Sequence, residues 1–249
     1  MDTLTVALWA ANLEPPLNGV EAWAVGVEAK MKEALADGAR LLVTPEYHSQ
    51  QWLSFAPEGI RPHEEIAWLA SQSPLAVAAV RPFARRYGLG LLAGTMPVAD
   101  GKGGFLNRAH LFLPDGRKII QDKLCLTPAE RDPAAWFLET GTEVTVVEWE
   151  GLRFATLICL DIELPALAAR LAPLDLDLIL VPSMTSKLSG VSPRPNGRTP
   201  QVRQKRCSLR IELNRYCVSS PLPSSSRKAA GLITAAQKRL REQMEQLHR

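Results

Sequence analysis

The chain has 249 residues and a mass of 27.3 kDa, with 46% apolar, 22% charged and 6% aromatic residues, the balance of one soluble domain with a large core. No apolar run reaches the roughly 18 to 20 residues of a membrane span, no basic and apolar leader opens the sequence, and Cys125, Cys159, Cys207 and Cys217 lack the spacing of a disulfide framework or a zinc site. Net charge is +3, but residues 1–184 hold 15 Lys and Arg against 23 Asp and Glu, whereas residues 185–249 hold 14 against 3.

The first 184 residues alternate between two patterns. Leu4, Val6 and Leu8 recur at the period of a strand. Val20, Trp23, Val27, Met31 and Leu35 follow the period of a helix, which Asp37-Gly38 ends. Arg40 to Thr44 reads as a buried strand, and Glu64 to Tyr87 as a helical stretch interrupted by Pro74 and Pro82. Leu89 to Gly94 is a further strand. Arg108–Leu113 and Arg117–Lys123 flank the turn Pro114-Asp115-Gly116, and Thr145–Trp149 and Leu152–Ile158 flank Glu150-Gly151, which predicts two hairpins. Leu176 to Val181 is a short apolar strand. Strands alternating with helices, plus hairpins, predict an α/β layered domain with a mixed sheet.

Three reactive side chains fall at predicted strand ends. Glu46 follows Leu41-Leu42-Val43-Thr44-Pro45, Lys123 follows Lys118 to Asp122, and Cys159 follows Phe154 to Ile158. Strand ends are where α/β proteins gather their sites, and a thiol before a helix start is favoured as thiolate. Singly, each residue has an ordinary structural reading: a packed thiol, a capping acid, a surface lysine.

Together with their neighbours they resemble the nitrilase superfamily of carbon–nitrogen hydrolases. The resemblance rests on Leu42-Val43-Thr44-Pro45-Glu46-Tyr47, on Gln121 to Arg131, on Leu157-Ile158-Cys159-Leu160-Asp161-Ile162-Glu163-Leu164-Pro165 and on Val181-Pro182-Ser183, and spans residues 4–184. It implies a four-layer αββα sandwich of the nitrilase type. Cys159 would be the nucleophile, Glu46 the general base and acid, and Lys123, with the backbone N–H of Leu160, the oxyanion stabiliser. Lys123 would also lower the energy of the Cys159 thiolate. Glu130 matches a family glutamate that supports the lysine and orients substrate, although Thr127-Pro128 before it also suits a capping acid. Asp161 after Cys159-Leu160 resembles the amidase-like branches. The resemblance implies hydrolysis of a small amide without metal or organic cofactor, by a homodimer. The cysteine usage places it in a reducing cytoplasm.

His48, His63, His110 and His248 sit in no Cys–His motif, and Cys125 reads as a packing thiol. Tyr47, Trp136 and Phe137 could shape a substrate cavity or simply fill the core. After Gly190 the family pattern breaks into a Pro-rich loop, returns at Leu209 to Val218 as the tail of a helix and a strand, and dissolves again at Ser219 to Ser226. The chain thus divides into a carbon–nitrogen hydrolase domain over 1–220, with an atypical C-terminal portion, and a Ser/Pro linker with a basic amphipathic helix over 221–249. A second reading follows from the missing closing strands: a catalytically impaired member acting as a binding or scaffold module. The basic C-terminal tract lacks a nucleic-acid-binding motif and reads as a solvated face.

Overall fold

Alternating apolar residues on several strands need a second surface to cover them, and the fold supplies one between two sheets. The computed structural model describes residues 3–184 and the strand 207–212. Strands β1 (Thr3–Leu8), β2 (Leu41–Val43), β3 (Gly90–Ala99), β4 (Phe105–Phe112), β5 (Lys118–Asp122) and β9 (Cys207–Glu212) form one sheet in the order β5-β4-β3-β2-β1-β9. Strands β6 (Val146–Trp149), β7 (Leu152–Thr156) and β8 (Leu178–Leu180) form the other. Both predicted hairpins are antiparallel pairs, with Phe112 opposite Lys118 and Trp149 opposite Leu152.

Leu4, Val6, Val43, Leu92 and Leu111 of the larger sheet meet Val147, Phe154 and Leu180 of the smaller one in a single apolar seam. Helices α1 (Val20–Ala36) and α2 (Pro62–Tyr87) cover the outer face of the larger sheet through Trp23, Val27, Met31, Leu69 and Val80. Helix α4 (Pro165–Leu171) covers the smaller sheet through Leu167 and Leu171, against Ala155 and Leu157. The layers run helix, sheet, sheet, helix. Each fully buried Leu, Val or Phe in this stack contributes about 1.5 to 3 kcal/mol.

Several elements differ from their sequence reading. Leu35 lies on the solvent side of α1, and Ala34 takes the buried position. Helix α2 runs unbroken through both prolines, which are exposed while Leu69, Ser73, Ala76 and Val80 face the core. Burial along that face outweighs roughly 3 kcal/mol per interior proline. Cys207 to Glu212 is strand, antiparallel to β1, where the sequence suggested a helix tail. The division at residue 220, the linker and the C-terminal helix lie outside the described residues.

His48 and His110 are both buried, His48 edge-on to Trp9 and Trp23 and His110 stacked on Phe112. Burial lowers each to about 3, helped for His110 by Lys118 and Arg108. The unfolded chain therefore takes up protons first as pH falls below 6.5, and stability drops from there towards pH 3. Each histidine should contribute a loss of about 1.4 kcal/mol per pH unit in that window. Urea unfolding at pH 7 and pH 5 checks this, and His110→Leu should flatten the dependence. Equal unfolding free energies at the two pH values would contradict it.

Candidate active site

The seam between the sheets ends at the three predicted strand ends, so side chains from both sheets point into one buried space. Glu46 leaves the larger sheet three residues after β2, Lys123 directly follows β5, and Cys159 comes three residues after β7 of the smaller sheet. Glu46, Lys123 and Glu130 are 2%, 1% and 5% exposed.

Two close approaches make the convergence possible. Gly94 interrupts the β3–β4 register between Leu92 and Thr95 with φ +59°, and a Cβ there would lie 2.0 Å from the Pro45 carbonyl oxygen. Only glycine lets β3 pass under the residue before Glu46. Gly141 donates its N–H to the Lys123 carbonyl at 2.7 Å and packs against the Asp122 backbone, where a Cβ would meet the carbonyl at 2.8 Å. Arg108 grips Asp122 with two hydrogen bonds of 2.6 and 2.9 Å, fixing the end of β5 against β4.

The Lys123 ammonium donates to Glu46 Oε1 at 2.8 Å and reaches Glu130 at 2.8 Å. Glu130 is the third residue of helix α3 (Pro128–Arg131), where its Oε2 accepts from the Thr127 N–H and hydroxyl at 2.8 and 2.9 Å. The capping acid and the lysine's partner are thus one carboxylate. Tyr47 O–H and Asn107 Nδ2, the latter at 3.4 Å, also donate to Oε1. Glu130 is saturated by these donors, so the arrangement fits anchoring of Lys123 and leaves it little capacity to orient a substrate.

Glu46 Oε1 also accepts from Asn107 Nδ2 at 3.0 Å, while Oε2 accepts from the Met184 N–H at 3.1 Å. The Cys159 thiol is coupled to Glu46, whose charge raises it, and to the Met184 N–H, which lowers it. Burial raises the Glu46 carboxyl above its usual range against the pull of Lys123. Burial likewise opposes the charge on Lys123, but Glu46 and Glu130 outweigh it and hold the ammonium protonated. Burial also works to raise Glu130, yet the hydrogen bonds from Lys123, Tyr47 and Thr127 bring it below.

Cys159 departs from the sequence expectation. It is held at φ +49° and opens a 3-10 turn over Cys159–Glu163 rather than a full helix. Burial and the Glu46 charge outweigh Lys123 and push the thiol up to about 12, so the resting sulfur is protonated, not a thiolate. Leu160 lies in the first turn of that 3-10 element, where N–H groups have no carbonyl of the same turn to serve.

Asp161, wholly buried, accepts the backbone N–H groups of Leu124 (3.1 Å), Cys125 (2.7 Å) and Ile158 (2.9 Å). One carboxylate thereby ties the chain after Lys123 to the chain before Cys159. Burial raises it despite those three bonds. Trp136 packs edge-on against Tyr47 at 4.8 Å, while Phe137 is 55% exposed and lines an outer groove of about 870 Å³ that contains none of Glu46, Lys123 and Cys159. Of the described histidines, His48 and His110 are buried in the core and His63 lines the groove, while His248 lies outside the described residues. Among the described residues, no group of three His, Cys, Asp or Glu could hold a metal ion, and no helix is long and apolar enough to cross a membrane.

A carbon-nitrogen hydrolase family profile matches residues 7–205, and the chain belongs to that family. The fold is that of the nitrilase superfamily. An amidase from Nesterenkonia sp. superposes with a TM-score of 0.61 at 24% identity, over 76% of this chain and 68% of its own. A cysteine mutant of the Nesterenkonia sp. AN1 amidase in complex with butyramide superposes at 0.58 and 24% identity, over 72% and 65%. Among curated proteins, a probable hydrolase, YhcX, of Bacillus subtilis (strain 168) is 30% identical over 148 residues, 59% of this chain and 28% of its own. An (R)-stereoselective amidase of Pseudomonas sp is 36% identical over 97 residues, 39% and 33%. The chain thus matches about a third of the length of these curated relatives.

Replacing Gly94 with alanine should force Pro45 and Glu46 out of place and cost on the order of 3 kcal/mol or more. Urea unfolding measures the loss, and a variant as stable as the parent would refute this account of the bulge.

Proposed function

We propose that the protein hydrolyses a small non-peptide amide to an acid and ammonia or an amine, through a thioester on Cys159. The observation that carries this reading is the convergence of a half-buried thiol, a buried carboxylate whose charge acts on it, and a buried ammonium 2.8 Å from that carboxylate. Because the thiol is pushed up to about 12, sulfur loses its proton during attack, not before it. Glu46 takes that proton as Sγ bonds the carbonyl carbon. Its raised carboxyl then returns the proton to the leaving nitrogen as the carbon–nitrogen bond breaks. Water, deprotonated by Glu46, hydrolyses the thioester and frees Cys159. Lys123 and the Leu160 N–H receive the negative oxygen of each tetrahedral intermediate, with Lys123 held by Glu130. The mechanism draws on no metal or organic cofactor.

An amide rather than a nitrile is supported by Asp161 following Cys159-Leu160 and by the similarity to amidases, one of them in complex with butyramide. The same reading carries a homodimer in the cytoplasm, and sedimentation of the purified chain tests the first part.

Ammonia release from butyramide and other short aliphatic amides should be measurable for the parent chain and fall to background in Cys159→Ala. Lys123→Met should lose at least about 100-fold in kcat. A folded parent chain that releases nothing from the panel would favour the alternative of an impaired, ligand-binding module.

A further inference from the structure

The two oxygens of a free glutamate are equivalent, but only one of them can face a given thiol. Asn107 distinguishes them in Glu46. It is wholly buried on β4, and its backbone carbonyl accepts the Lys123 N–H at 2.9 Å, which locks it to the end of β5. From that fixed point Nδ2 donates to Glu46 Oε1 at 3.0 Å and to Glu130 Oε1 at 3.4 Å. Turning the amide over would set its oxygen against two carboxylates, so charge dictates the donor orientation.

Lys123 Nζ donates to the same Glu46 Oε1 at 2.8 Å. Oε1 therefore has two donors for its two lone-pair directions, while Oε2 has only the Met184 N–H at 3.1 Å. We propose that Asn107 is a positioning residue that, jointly with Lys123, saturates Oε1 of Glu46 and commits Oε2 to taking the Cys159 proton. This rests on the reading of Cys159 as nucleophile and Glu46 as base. An amide suits the task because it has no proton to lose in this pH range. It holds the carboxylate when Lys123 turns towards a negative substrate oxygen.

The groups facing Glu46 are Lys123 from the end of β5, Glu130 from α3 and Cys159 from the turn after β7, with the Tyr47 phenol beside Glu130. Removing the Asn107 amide leaves Lys123 as the one donor on Oε1, against the same desolvation, and the Glu46 carboxyl must rise further.

Addition of acrylamide to Cys159 of the full chain, followed by peptide mass spectrometry across pH, reads this without any substrate turnover. In that step the S–H bond breaks and the proton passes to Oε2. The sulfur pair bonds the terminal vinyl carbon, and the displaced π pair takes the proton at the carbon next to the carbonyl. The labelling rate should rise with pH along one acid limb in the parent chain. In Asn107→Leu that limb should move upward by about one pH unit, a loss of about tenfold below the limb. Asn107→Ser, smaller and polar, should show the same displacement. Coinciding limbs in parent and variants, all with parental circular dichroism, overturn the role of Asn107 alone. Absence of labelling at Cys159 in the parent overturns the nucleophile reading, and the proposal with it.

Discussion

A single buried ammonium has to answer for more than one buried carboxylate. Lys123 is 1% exposed and faces Glu46 and Glu130, with the buried Asp161 on the adjoining turn. Leaving any of these charges unmatched in the interior would cost several kcal/mol. The fold answers each acid differently. Asp161 is met by three backbone N–H groups, and Glu130 by its own helix cap, a phenol and the lysine. Glu46 shares Lys123 with Glu130 and, like Asp161, stays raised by its burial. Of these two raised carboxyls, Glu46 is the one whose charge acts on the thiol.

The positions of Glu46, Lys123 and Cys159 were legible in the sequence because each lies within three residues of a strand end and inside a segment that resembles the family. Their chemistry was less so. The thiol's state depends on burial and on Glu46, which lies far away in the chain, and no local helix-start argument could weigh those. Asn107 sits mid-strand in Phe105-Leu106-Asn107-Arg108-Ala109 with nothing nearby to mark it. The available signal was its place in the strand alternation: a lone amide whose alternate neighbours, Phe105 and Ala109, are apolar. Met184 contributes only its backbone, which no residue type announces.

The helices teach a related point. Pro74 and Pro82 suggested a break that α2 does not make, since local propensity was competing with a whole buried face. Ala34 rather than Leu35 faces the sheet because the 3.6-residue period carries the face of Val20, Trp23, Val27 and Met31 on to position 34. In both cases the fold class was secure while the detail was set by packing against β-strands distant in the chain.

Glu46 and Lys123 belong to one sheet and Cys159 to the other, with Val43, Leu92, Phe154 and Ile158 filling the gap between them. The separation of acid from thiol is therefore set by the thickness of an apolar filling together with the Asp161 bonds that tie the chain after Lys123 to the chain before Cys159. A methylene added to or removed from that filling changes the spacing at which a proton must cross. Side chains with no polar atom act here as the spacers of the chemistry.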